Sequence, residues 1–172
     1  MGGSRQGVEL SLCTVVTTFA GTGSTGSANG TGTSASFNYP GEITTDGTNL
    51  YVADYGNHLI RKIVISTGAV TTLAGTGSSG SANGTGTSAS FHHPAGITTD
   101  GTNLYVSDYE NHLIRKIVIS TGAVTTVAGT GSQGSANGTG TSASFYKPFG
   151  ITTDGTNLYI ADYGNHKIRQ IE

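Results

Sequence analysis

The sequence contains no tryptophan, one cysteine, and only 8 basic against 10 acidic residues in a chain of 172. The lone cysteine, Cys13, excludes a disulfide within one chain and reads most simply as a small buried or edge thiol. Charged residues make up 10% of the chain, against about 25% in ordinary globular domains. The formal net charge of −2, with Lys and Arg gathered in a few short segments, gives no basic field of the kind that phosphates require, so nucleic acid is not an expected partner. No stretch is long and apolar enough to suggest a membrane span or a signal peptide, and no membrane partner is expected. Residues 1–14, opening Met1-Gly2-Gly3-Ser4-Arg5-Gln6, read as a leader or a remnant of expression. A composition rich in Gly, Ser, Thr and Asn leans towards an extracellular or cell-envelope protein of a bacterium.

Hydrophobic residues are 34% of the chain and occur in short runs separated by turn residues, which is all-β punctuation. The segment Gly-Thr-Asn-Leu-Tyr begins at Gly47, Gly101 and Gly155, an interval of 54 residues that marks a tandem repeat. The copies are nearly identical, which fits recent duplication, a fragment of a longer array or deliberate design. Within one copy, Ile97-Thr98-Thr99 gives a first strand and Asp100-Gly101-Thr102 a tight turn. Leu104-Tyr105-Val106 gives a second strand that breaks at Asp108-Tyr109-Glu110-Asn111. The run His112–Ile119 is too short and too β-branched for a helix, and Val124–Val127 follows the Ser120-Thr121-Gly122 turn as a fourth strand. Four antiparallel strands in meander order describe a propeller blade. The stretch from Gly129 to Lys147 is a long small-residue loop to the next blade, either functional or flexible, with its end pinned by Ala143 and Phe145.

The motifs Asn57-His58-Leu59 and Asn111-His112-Leu113, with Asn165-His166-Lys167 as a third copy, lie downstream of Leu50-Tyr51-Val52-Ala53-Asp54 and its equivalents. This pattern, continued by Ile60-Arg61-Lys62-Ile63, resembles the NHL-repeat family over residues 15–172. The resemblance implies a β-propeller, most often six-bladed, in which first strands line a central channel. The present loops are longer than usual for it. The family includes enzymes, RNA binders and sensor domains, so membership does not set activity.

The chain opens with a fourth-strand segment, Val15-Val16-Thr17-Thr18-Phe19, and ends in a third-strand segment, Ile168-Arg169-Gln170-Ile171. Three blades are too few for the family's usual ring. Two chains would supply six, the N-terminal strand of each completing the third blade of the other in a homodimer.

Asp54, Asn57 and His58, with Asp108, Asn111 and His112 and with Asp162, Asn165 and His166, have the residue types of a hydrolytic or metal site. They recur in every copy, which suits loop fixation better than catalysis, a task needed once. No catalytic residue, metal or cofactor is therefore assigned. Asn-Gly-Thr at Asn29, Asn83 and Asn137 matches a glycosylation acceptor but reads better as a turn. The copies differ at Asn38/His92/Tyr146, Tyr39/His93/Lys147, Gly41/Ala95/Phe149, Glu42/Gly96/Gly150 and Gly56/Glu110/Gly164, positions that a propeller gathers at one mouth of its channel. Asn38, Tyr39, Glu42, His92, His93, Tyr146 and Lys147 are thus the candidate contacts for a protein, glycan or small-molecule ligand. The reading is a non-enzymatic scaffold or binding module. The alternative is an enzyme resembling metal-dependent lyases and lactonases, with Glu42, His92 and His93 at the channel mouth, which bound metal would distinguish.

Overall fold

The computed structural model describes residues 14–172, so Cys13 and all but the last residue of the expected leader lie outside the described residues. Thirteen strands, numbered in chain order, form three antiparallel sheets. The first blade comprises β1 (Gly30–Thr31), β2 (Pro40–Thr45), β3 (Asn49–Asp54), β4 (Leu59–Val64) and β5 (Ala69–Ala74), in the spatial order β1-β5-β4-β3-β2. The second repeats that order with β6 (Gly84–Thr85), β7 (Pro94–Thr99), β8 (Asn103–Asp108), β9 (Leu113–Val118) and β10 (Ala123–Ala128). The third has only β11 (Pro148–Thr153), β12 (Leu158–Asp162) and β13 (Lys167–Ile171).

The expected four-strand meander is present in the first two blades, and a two-residue strand from the long loop adds a fifth at the outer edge. Gly30 pairs with Val70 and Gly84 with Val124, so the first two long loops each add a strand to their blade. Within each loop Phe37, Phe91 and Phe145 bridge to Thr25, Ser79 and Gln133, and a single 3-10 turn follows the short strand or its equivalent. The Asn-Gly steps accordingly lead into a strand in these two blades instead of forming a hairpin turn.

Alternation along each strand serves two interfaces at once. Tyr51, Ala53 and Ile60 of the first blade pack against Phe91, Ile97, Leu104 and Val106 of the second. Ile114 and Ala128 of the second pack against Phe145, Ile151, Leu158 and Ile160 of the third. The inner strands approach so closely that a Cβ on Gly41 would sit 2.8 Å from the Ala95 carbonyl oxygen.

The two ends of this row lack neighbours. Ile43 is 53% exposed, whereas its repeat equivalent Ile97 is 1% exposed. At the other end Ile168 is 76% exposed, whereas Ile60 and Ile114 are fully buried at 0%. Beside β13 lies a cleft of about 480 Å³, lined by Asn137–Gly140 on one side and Ile168–Glu172 on the other. It occupies the place that β5 and β10 fill in the other blades. Residues 15–19, expected as a fourth strand, form no strand here, and Val16 is 97% exposed, because the described chain offers this segment no third strand to pair with.

Candidate functional site

The recurring Asp, Asn and His residues lie where the second strand of each blade turns into the third. Asp54 ends β3 fully buried; its Oδ1 accepts the Asn38 backbone N–H at 2.8 Å, and its Oδ2 accepts from Asn57 Nδ2 and Arg61 Nη1, each at 2.8 Å. Asn57 also donates to the Gly26 carbonyl at 2.7 Å. Arg61, buried at 0% exposure, donates to the Ser36 and Ala28 carbonyls and to Asn29 Oδ1, while its guanidinium lies over the Phe37 ring. The same set recurs around Asp108, Asn111 and Arg115 and around Asp162, Asn165 and Arg169. Each Asp–Arg pair therefore stitches the long loop onto its own blade.

Burial pushes the Asp108 carboxyl up, against the pull of Asn111, the His92 N–H and Arg115. The arginine was not singled out as a site residue in the sequence, nor was the role of Asn29 and its equivalents as its acceptors. The available signal is the alternation Leu59/Arg61/Ile63, which sets a charged residue on an otherwise apolar strand face.

The histidines of the motif do a different job. His58, His112 and His166 have φ of 57°, 57° and 55°, in the left-handed region. His58 Nδ1 accepts the backbone N–H of His93, and His112 Nδ1 accepts that of Lys147, at 3.1 and 3.2 Å. Each bond links one blade to the next. Tyr39, His93 and Lys147 share the same backbone state, with φ of 48°, 55° and 55°, and these six are the non-glycine residues of positive φ among the described residues. Such conformations cost about 1–3 kcal/mol each and persist where surroundings enforce them.

The candidate ligand contacts divide between the junctions. At the first, the His93 ring stacks on Tyr55 at 4.5 Å with an interplanar angle of 10°, and His58 and His92 complete a cluster of imidazoles. Burial lowers the His58 and His93 pKa values, neighbouring imidazoles lower them further, and Glu110 partly opposes this at His93. At the second, Lys147 Nζ lies 3.1 Å from Glu110 and 5.2 Å from the Tyr109 ring centroid; the hydrogen bond to Glu110 chiefly raises its pKa. Tyr146 meets His112 edge-on.

Asn38 stays within its own blade, its Nδ2 donating to the Gly56 carbonyl. Glu42 joins neither His92 nor His93 by a hydrogen bond; its Oε2 accepts the Ile97 N–H at 2.9 Å. Among the described residues no group of three or more His, Cys, Asp or Glu is placed to hold a metal ion. A row of aromatic rings, Tyr55, Tyr109, Phe149 and Tyr163, with successive centroids 6.1, 6.0 and 6.2 Å apart, runs across this face.

No family model matches the chain. NHL repeat-containing protein 2 is similar to it in two species: the chicken (Gallus gallus) protein is 41% identical over 98 residues, 56% of this chain, and the cattle (Bos taurus) protein 35% identical over 135 residues, 72% of this chain. The chain spans only 13% and 19% of those relatives' lengths. Among solved structures, an auxiliary nutrient binding protein from Bacteroides thetaiotaomicron superposes with a TM-score of 0.66 at 25% identity, covering 76% of this chain and 36% of that one. A virginiamycin B lyase from Staphylococcus aureus, at a TM-score of 0.51 and 22% identity over 78% of this chain and 38% of its own, shares the fold alone. With three Asn-His motifs at the same turn of three like blades, and with these relatives, the chain is a member of the NHL-repeat family.

Proposed function

We propose that this chain is a non-enzymatic propeller scaffold or binding module that closes as a homodimer into a six-bladed ring. The N-terminal strand of each subunit completes the third blade of the other. The observation that carries the reading is the exposure of Ile168, 76%, at a position buried to 0% in both other blades. Burying such a side chain contributes about 1.5–3 kcal/mol, and the cleft beside it runs between Ile168–Glu172 and the loop residues Asn137–Gly140. Val15-Val16-Thr17-Thr18-Phe19-Ala20 matches Ala69–Ala74 and Ala123–Ala128 in pattern, residue for residue along the repeat. The free face of the first blade, where Ile43 is exposed, is the complement of the free face of the third.

Two-fold symmetry covers both free blade faces together and pairs the open edge of β13, leaving only the short outer edges of the blades. The face carrying Asn38, Tyr39, Glu42, His92, His93, Tyr146 and Lys147 is then the surface for a protein, glycan or small-molecule ligand. The recurring Asp, Asn and Arg residues are occupied by loop fixation, which supports a binding rather than a catalytic use. The structural neighbour named as a nutrient binding protein supports the same use.

Deleting residues 1–21 tests the reading. The truncated chain should lose the dimer and aggregate, since β13 keeps an open edge. A truncated chain that stays soluble at the parent's mass would refute the strand's role.

A further inference from the structure

We propose that Tyr39 is the docking residue of the subunit seam: in the dimer, Tyr39 of the partner subunit caps Tyr163 and hydrogen-bonds His166 through its backbone N–H. The inference rests on the homodimeric reading above and names the contact that closes it. Its ground is the pair of junctions already present within the chain. At the first, residue 93 lies on the ring of Tyr55 and gives its N–H to His58 Nδ1. At the second, residue 147 lies over the ring of Tyr109 and gives its N–H to His112 Nδ1.

In the repeat, position 39 is the equivalent of 93 and 147, position 163 of 55 and 109, and position 166 of 58 and 112. Tyr39 has the same left-handed backbone, φ 48°, that sets His93 and Lys147 at φ 55° over their tyrosines. Yet Tyr39 is 76% exposed and Tyr163 64% exposed, and no side-chain hydrogen bond of His166 is formed within the described residues. The two halves of a third junction thus stand ready at opposite ends of one chain.

The chemistry of the three junctions differs while their geometry is shared. The first stacks an imidazole on a phenol ring, and the second sets an ammonium over a phenol ring and anchors it to Glu110. The third would place phenol on phenol, an aromatic pairing that needs no charge. Gly164 resembles Gly56 rather than Glu110, so the seam lacks the carboxylate that a lysine at position 39 would need. The substitutions that distinguish the repeats here therefore match each blade to its successor, and the second copy of the chain is the partner that this end accepts.

The test is the dimer dissociation constant, read by sedimentation velocity with fluorescence detection over a dilution series. Tyr39→Ser and Tyr163→Ser should each raise it about tenfold per seam, and hence about hundredfold for the dimer, because symmetry places every substitution at both seams. The double variant should be no weaker than either single one, since both remove one contact. Tyr39→His, which copies the first junction, should stay within about threefold of the parent. Both tyrosines are exposed in the single chain, so neither change threatens the subunit fold. A parent dimer whose affinity ignores both serine variants, or in which their effects multiply, overturns the pairing and leaves the dimer standing. A parent that stays monomeric at every concentration overturns both.

Discussion

Arg115→Leu is the perturbation that most directly weighs the stitch between loop and blade. Arg115 and Asp108 are both fully buried, 2.8 Å apart, and the guanidinium also serves the Ser90 and Ala82 carbonyls and Asn83 Oδ1. Leucine restores apolar volume but leaves the Asp108 carboxylate in a dry site with no counter-charge and strands these acceptors. Breaking a buried pair on one side costs about 3–5 kcal/mol. In a chain of this length each kcal/mol moves the melting temperature by about 2–4 °C, so the expected fall is roughly 6–20 °C by circular dichroism. Removing the carboxylate as well, in Asp108→Leu/Arg115→Leu, should not restore the parent, because Asp108 also accepts the His92 N–H and Asn111 Nδ2. A melting temperature for Arg115→Leu within a degree or two of the parent would refute the argument that this pair holds the loop.

Other outcomes follow from the same contacts. Folding lowers the proton affinity of His58 and His93, so the unfolded chain binds more protons as pH falls; stability should be full above the ordinary value of 6.5 and decline as pH drops through it. A melting temperature that is flat or rising from pH 8 to pH 5 would contradict this. His112→Ala strands the Lys147 N–H and should lower the urea-unfolding free energy by about 1–3 kcal/mol; an unchanged midpoint would mean the junction does not depend on that bond. Gly75→Ala, at φ +109° with a Cβ only 2.6 Å from the His58 carbonyl oxygen, should cost more than about 1 kcal/mol. Wild-type stability in that variant would show that the close approach relaxes freely.

Much of the blade was legible because its strands carry their own signals. Ile97-Thr98-Thr99 and Leu104-Tyr105-Val106 are β-branched or alternating, and Asp100-Gly101 separates them, so existence and order follow from local chemistry. The outer strands at Gly30–Thr31 and Gly84–Thr85 escaped notice for the opposite reason: two residues, one of them glycine, are too short to carry an alternating pattern, and the pairing comes from Ala69-Val70 and Ala123-Val124 far along the chain. The Asp and Asn of the motif were visible as recurring polar residues, and in the structure Asp54 accepts the Asn38 N–H while Asn57 donates to the Gly26 carbonyl, but Arg61 was hidden inside a strand run. The divergent residues at 39, 93 and 147 were visible as differences between copies. The left-handed backbone at all three, and the tyrosines beneath 93 and 147, were not, because the two partners of each contact belong to different blades.

The mass of the intact chain in solution, by light scattering coupled to size exclusion, tests the central claim most directly. The ring reading predicts a single species at about twice the 17.4 kDa chain mass, unchanged by moderate dilution, because two-fold closure satisfies both ends at once. A stable species at 17.4 kDa, or a ladder growing with concentration, would show that the exposed cleft beside β13 and the N-terminal segment do not join two chains into a closed ring.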